Sequence, residues 1–494
     1  MAYPLYNSLR SRCGGAVDRV SRRDFVRDSL AAASGLLLSA RAVTAHGRRG
    51  AGGRVVVVGA GFGGLACAFE LTAAGYETVV LEARDRVGGR VHTLTNLVPG
   101  KTVEAGGEFV GSNHPTWLAY AKRFGFALVD VPETRDLASP VVLEGKRLSK
   151  LGVIALFQQI EGVYAAMTEA ARPIDADVPW SSPGARALDD LSVSAWLDRQ
   201  AMAPLPRRAI EAEFLSYSGV PTKQESFLGM LAVIQGGGLE KYWTENEAYH
   251  CTGGNQQLAR RLVEGIGAER VHLQTPVARI AVADSGVRVT GQDGKTYEAD
   301  DVVLAAPPST WGAIEFEPAL PPALRPQMGK NAKFLVAVRD AFWSRADLPP
   351  TSMSDGPIGF TWSATAGQTG GPEQVMVAFA GGAAAEDLCR MKPEDRERVL
   401  RKEVGERYAD FTENIVRSQF VDWPDQKWTR GSYSTPAPGQ VMREGPILAG
   451  GLGRLHFAGE HACLKFVGFM EGALNSGATV ARRLAVRDGV IGKL

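Results

Sequence analysis

The 494-residue sequence is poor in cysteine and histidine, with five of the first and seven of the second. Cys13, Cys67, Cys251, Cys389 and Cys463 are scattered and form no Cys-x-x-Cys pair. That pattern excludes a disulfide scaffold and offers no ligand spacing for zinc, so no metal site is expected. The cysteines read instead as small buried hydrophobes. Net charge is also nearly absent, a formal +1, so no basic field points to nucleic acid. No uninterrupted apolar run reaches the ~18 residues of a membrane span. Internal repeats, low-complexity linkers and nucleophile–base constellations are likewise not apparent. What remains is an ordinary globular composition, 45% hydrophobic and 22% charged, long enough for two or three packed units.

The small net charge hides an uneven distribution. Residues 1–45 hold seven Arg against three Asp, about +4, which leaves about −3 for the rest. Within them, Ser21-Arg22-Arg23-Asp24-Phe25-Val26 precedes the apolar run Leu30–Ala40 and then small residues. That order resembles a twin-arginine export signal, which implies an exported, periplasmic or secreted protein. The route carries folded proteins, which suits an enzyme loaded with its cofactor before export.

The remaining chain opens on Arg54-Val55-Val56-Val57-Val58, the β-branched type of a buried parallel strand. It runs into Gly59-Ala60-Gly61-Phe62-Gly63-Gly64, where Gly59, Gly61 and Gly64 have the G-x-G-x-x-G spacing. The first glycine permits a tight turn, the second lets a pyrophosphate approach the backbone, and the third packs helix on strand. A helix over Leu65–Ala74 and a strand Thr78–Leu81 follow, ending at Glu82, 23 positions after Gly59. A carboxylate there accepts hydrogen bonds from ribose hydroxyls. Strand, glycines, helix, strand and acid in order make a dinucleotide site. The continuation through Arg84 to Gly88-Gly89-Arg90 resembles the second glycine turn of FAD enzymes of the glutathione-reductase-like superfamily. Its backbone N–H groups and its arginine suit a pyrophosphate.

Later blocks resemble the flavin-containing amine oxidase family, which includes monoamine oxidases and L-amino acid oxidases, over roughly residues 53–485. They are His250–Asn255 with Thr275-Pro276-Val277, Asn331–Val338, Trp428–Ser434, and Leu455–His461 with Gly468–Ala473. The resemblance implies an α/β fold, a Rossmann-like FAD domain joined to an α+β substrate domain. Residues 50–130, 246–310 and 430–490 would form the first, and 131–245 with 311–429 the second, partly helical through patterns such as Leu151–Arg172 and Ser194–Glu213. It also implies that Val277 lies near the adenine and that Glu460 bonds the ribityl–phosphate region. Met470, at the start of the final helix, belongs to the stretch that cradles the flavin carbonyls. Lys333 would act near the flavin in oxygen reactivity, and Tyr433 and Phe469 would flank the substrate amine. Ser432 stands where monoamine oxidases carry a flavin-linked cysteine, which predicts non-covalent FAD.

The implied reaction takes an amine to an imine, with reducing equivalents passing through FAD to dioxygen to give hydrogen peroxide. Hydrolysis then yields ammonia and a carbonyl compound. The substrate is read as either an L-amino acid or a primary amine. Where many L-amino acid oxidases place a carboxylate-binding arginine, this chain has Glu108, suited to a second positive group. Arg430 and Lys465 are the alternative carboxylate partners, with surface roles favoured for both, and Tyr242 and Trp243 fit the cavity wall or core packing equally. FAD desaturases and porphyrinogen-type oxidases, which act on carbon–carbon bonds, are the alternative class. Expected partners are the small-molecule substrate, dioxygen and the export machinery, with a homodimer as the candidate assembly.

Overall fold

The computed structural model describes residues 52–131 and 139–492, so the export-signal reading lies outside the described residues. The valine run forms strand β1 (Arg54–Val58), with Val55 to Val58 at most 4% exposed. Helix α1 (Phe62–Ala73) starts three residues earlier than the sequence predicts, because Gly61 itself serves as its N-cap. The chain then returns as β2 (Glu77–Leu81), parallel to β1 with Val56 opposite Val79. Parallel strands buried on both faces read as continuous apolar runs, and this one does.

The sheet built on β1 has five parallel strands. On one side of β1 lie β2 and Val271–His272; on the other lie β3 (Asp301–Leu304) and the edge strand β4 (Leu455–Phe457). Its strands thus come from three separated stretches of chain. The final helix α2 (Met470–Arg487) closes over α1. A Cβ on Gly477 would sit 2.1 Å from the Gly63 carbonyl oxygen, so only glycine permits that approach. Beside this sheet, Gly286–Gly291 and Thr296–Ala299 form the hairpin that Asp293-Gly294 predicts, with Gly294 at φ +83°.

A second sheet of seven strands forms the floor of the other unit. The strand Asn331–Val338, second from one edge, is buried along its whole length between Gln374–Gly381 and Ile415–Asp422. Lys333 therefore lies on a buried strand paired on both sides. Helices cover this floor. Lys150–Ala171 matches the predicted pattern, and its Val153, Leu156, Phe157, Ile160, Val163 and Met167 enter the core. Among the described residues it is the one helix long and apolar enough to cross a membrane, at mean hydropathy 1.2. The Ser194–Glu213 pattern is instead two helices, Val193–Leu197 and Pro204–Ser218. Pro204 takes the first position of the second helix, where its missing N–H costs nothing.

Candidate active site

The two units meet around one cavity, about 260 Å³, that runs from Glu82 past the glycine turns to Lys333, Tyr433 and Phe469. At its first end, Gly59 has φ +108° and donates its N–H to Leu81 O at 2.8 Å, closing the turn. A Cβ on Gly64 would lie 2.0 Å from Gly59 O, so helix and turn touch backbone to backbone. A Cβ on Gly61 would meet nothing within 4 Å, which leaves an open lane along the turn. The second glycine turn stacks on the first: Gly88 N–H donates to Ala60 O at 2.8 Å, and a Cβ on Gly89 would approach Gly61 Cα to 3.2 Å. Glu82 braces both turns, accepting from Ala60 N at 2.7 Å and Arg84 N at 2.8 Å. Burial raises its carboxyl pKa, against the lowering effect of those two N–H groups.

The arginines here are structural ties as well as cavity wall. Arg84 gives its guanidinium to Gln426 at 3.2 Å and Thr429 at 2.5 Å. Arg90 donates to Glu460 at 2.7 Å and to Ser432 O at 2.8 Å. Glu460 also accepts from Ser434 N at 3.2 Å and Gly468 N at 2.9 Å. Burial raises the Glu460 carboxyl, but the Arg90 guanidinium and the N–H donors together outweigh it and hold the pKa below its usual value. Glu460 therefore joins three chain segments, a role larger than the ligand contact predicted from sequence. The first turn of α2 lacks a side-chain cap and opens at the cavity through Phe469, Met470 and Ala473. Free N–H groups at a helix start suit an electron-rich acceptor. Val277 is in the wall near the Glu82 end.

Lys333 enters the cavity beneath the aromatic end. Its Nζ donates to Glu108 Oε2 at 3.0 Å and to Gly106 O at 2.9 Å, and lies 5.3 Å from the Trp362 ring centre. Glu108 accepts in turn from the Trp362 indole at 2.9 Å. Both partners of the ion pair are nearly fully buried. Glu108 lines the cavity, as a group that meets a substrate cation must, and is already bonded to Lys333 and Trp362.

Tyr433 and Phe469 do come together in the wall. The Tyr433 hydroxyl donates to Tyr217 O, which fixes the ring, and Phe469 packs edge-on to His114 at 5.4 Å. Ser432 Oγ donates to Asn331 Oδ1 at 2.6 Å. Three further candidates, Trp243, Arg430 and Lys465, fall outside the cavity wall, in line with the core and surface alternatives read for them. Trp243 belongs to the core: it stacks on Tyr164 at 4.5 Å and donates to Thr168 at 2.8 Å. Arg430 is exposed, at φ +50°, and outside the wall. Lys465 also lies outside it, paired with Asp177 at 2.6 Å. Sequence reasoning missed Phe109, Tyr217, Trp362, Phe379 and Glu247, all cavity residues on strands, helices and loops without a motif.

This arrangement fits a bound dinucleotide. The open lane at Gly61, the brace at Glu82 and the stacked turns would hold adenosine and pyrophosphate, and the uncapped start of α2 would meet the far ring system. The comparisons agree. The family described as flavin containing amine oxidoreductase matches residues 62–485. Flavin-containing amine oxidase B of Homo sapiens is 30% identical over 462 residues, 88% of this chain and 87% of the human one. A flavin-containing amine oxidase of Oncorhynchus mykiss is 29% identical over 460 residues, 88% and 86% of the two chains. Among solved structures, putrescine oxidase bound to putrescine superposes with a TM-score of 0.79 at 25% identity, covering 88% of this chain and 99% of its own. Cyclohexylamine oxidase of Brevibacterium oxydans IH-35A, 24% identical with a TM-score of 0.78, covers 88% and 99% and shares the fold.

Proposed function

The chain belongs to the flavin-containing amine oxidoreductase family, and on that premise we propose that it oxidises a primary amine lacking a carboxylate. Dioxygen is the acceptor in this reading, and the products are hydrogen peroxide, ammonia and an aldehyde. The observation that carries it is the state of the cations in the cavity wall. There are three, and each is occupied: Arg84 by Gln426 and Thr429, Arg90 by Glu460, Lys333 by Glu108. An amino-acid carboxylate entering this cavity would have to displace one of these contacts to gain a cation, at a cost of several kcal/mol.

FAD, when bound, supplies the two-electron oxidation of the carbon–nitrogen bond. The protein's contribution is placement. Tyr433, tethered to Tyr217, and Phe469 present aromatic faces that guide the amine and exclude water from it. Lys333 holds its Nζ at a fixed point in the cavity wall, with two carbonyls and Glu108 keeping it there. A fixed positive group stabilises negative charge that develops nearby without reorganising at the moment of reaction. Ser432 offers no thiol for a flavin bond, and its hydroxyl is spent on Asn331, which supports non-covalent FAD.

The test is peroxide release by the purified yellow protein on L-amino acids and on the matched decarboxylated amines. Activity on the amines, with flavin freed by acid denaturation, is expected. Activity confined to the amino acids would overturn the reading.

A further inference from the structure

A smaller cavity, about 70 Å³, adjoins the first across a shared wall of Tyr217, Tyr433, Gly468 and Phe469. It lies beside the aromatic pair, and most of its lining is apolar, including Met230 and Val233. Its single charged side chain is Glu225, 6% exposed, whose Oε2 is buried and meets no hydrogen-bond partner. Burial pushes this carboxyl up to about 8, with no neighbouring charge to offset the effect.

Local structure gives the side chain no other task. The next residue, Ser226, caps helix Phe227–Gly236 by accepting from Gly229 N at 3.1 Å, and it donates to Asp189 at 2.6 Å. The Glu225 carbonyl serves the backbone by accepting from Val193 N at 2.9 Å. Capping and chain pairing are thus complete without the carboxylate. A buried, unpaired carboxyl in an apolar pocket destabilises the protein unless a ligand satisfies it. Glu108, the acid that the sequence offers for this purpose, is already held by Lys333.

We propose that Glu225 receives the distal ammonium of an α,ω-diamine whose reacting nitrogen lies at Tyr433 and Phe469. The inference rests on the amine-oxidase reading above and narrows its substrate class. The two cavities share Tyr217, Tyr433, Gly468 and Phe469, with Gly468 adding no side chain beside the Tyr433 ring, so an occupant reaching from one to the other must be a narrow, flexible aliphatic chain that shifts this wall. A charge-assisted bond formed away from water is strong and selective. A monoamine of equal length leaves Glu225 unsatisfied, and discrimination follows from that unpaired group.

The experiment is steady-state kinetics of the holoenzyme on α,ω-diamines of increasing spacer length and on the matched n-alkylamines. The wild type is expected to favour its best diamine over the matched monoamine by roughly 100-fold in kcat/KM, the scale of leaving one buried polar group unpaired. In Glu225→Gln that ratio collapses toward one, mainly through the diamine KM. Glu225→Asp retracts the carboxylate by one methylene and should move the optimum to a longer diamine. If Glu225→Gln fails to accumulate as folded protein, the spacer shift in Glu225→Asp decides the matter. Equal use of mono- and diamines by the wild type, or an unchanged ratio and spacer optimum in the variants, overturns the proposal alone. No turnover of any amine removes the amine-oxidase reading beneath it as well.

Discussion

Replacing Lys333 by methionine would strip a buried carboxylate of its partner. Glu108 and Lys333 are 3% and 7% exposed at their side chains, and removing one member of such a pair costs about 3 kcal/mol. The Lys333→Met protein should therefore melt several degrees lower. If Lys333 also stabilises charge during reoxidation, its loss should slow the reaction of the reduced enzyme with oxygen about 100-fold. The two effects separate in the double variant with Glu108→Gln, where no charge is left uncompensated. Much of the melting temperature should return there, while oxygen reactivity stays low. Unchanged stopped-flow reoxidation in Lys333→Met would remove the residue from the chemistry and leave it a structural role. The ion pair also shows where sequence reading stops. Lysine and acid are 225 positions apart, and nothing local in either segment announces the other.

At the scale of elements, the first glycine turn makes a sharper test, because its glycines carry different loads. Gly61 has φ −75°, which alanine adopts freely, and its Cβ would enter open cavity. Gly61→Ala should thus fold with a stability within about 0.5 kcal/mol of the flavin-free parent yet retain little flavin absorbance. Gly64→Ala places a methyl against the Gly59 carbonyl, a backbone atom that cannot give way. It should cost about 3 kcal/mol and lower the soluble yield before cofactor is considered. Equal flavin content in Gly61→Ala and the parent would move the pyrophosphate off this lane. These elements were legible in the sequence because strand, turn and helix are contiguous and each glycine answers a local steric demand. The proline that splits Ser194–Glu213 was equally local and was overlooked, since hydrophobic periodicity carried across it. The aromatic cavity wall was legible only in part: Tyr433 and Phe469 stood in recognisable blocks, whereas Trp362 and Tyr217 reach the cavity through the packing of the seven-stranded sheet against its helices. Trp243 fits either role in sequence for the same reason, as an aromatic near a cavity and an aromatic in a core have the same sequence pattern.

Across the whole molecule, the ends of the described chain are the parts most tightly joined. Strand β4 pairs with β3, α2 lies on α1, and Glu460 holds Arg90 from 370 positions away. Ending the chain at Gly453 would remove the edge strand, the acid hub and the closing helix together. Such a protein should bind no flavin and expose β3 as an unpaired, apolar edge prone to association. Flavin binding by the shortened chain would show that the sheet completes itself without β4. The glutathione-reductase-like fold and its companion unit follow from sequence at this scale because family blocks mark both ends.

The same connection sets an order of events during synthesis. A ribosome that has carried the chain through Arg90 has emitted both glycine turns, but the Glu460 segment that closes them lies 370 positions further on. Until then the nascent chain carries a sheet with an open side and a groove with one wall. Cofactor capture is therefore tied to the emergence of β4 and α2 rather than to the appearance of the glycine motif. A stop between Arg90 and Leu455 should yield a polypeptide that displays the nucleotide signature and fails to keep the nucleotide.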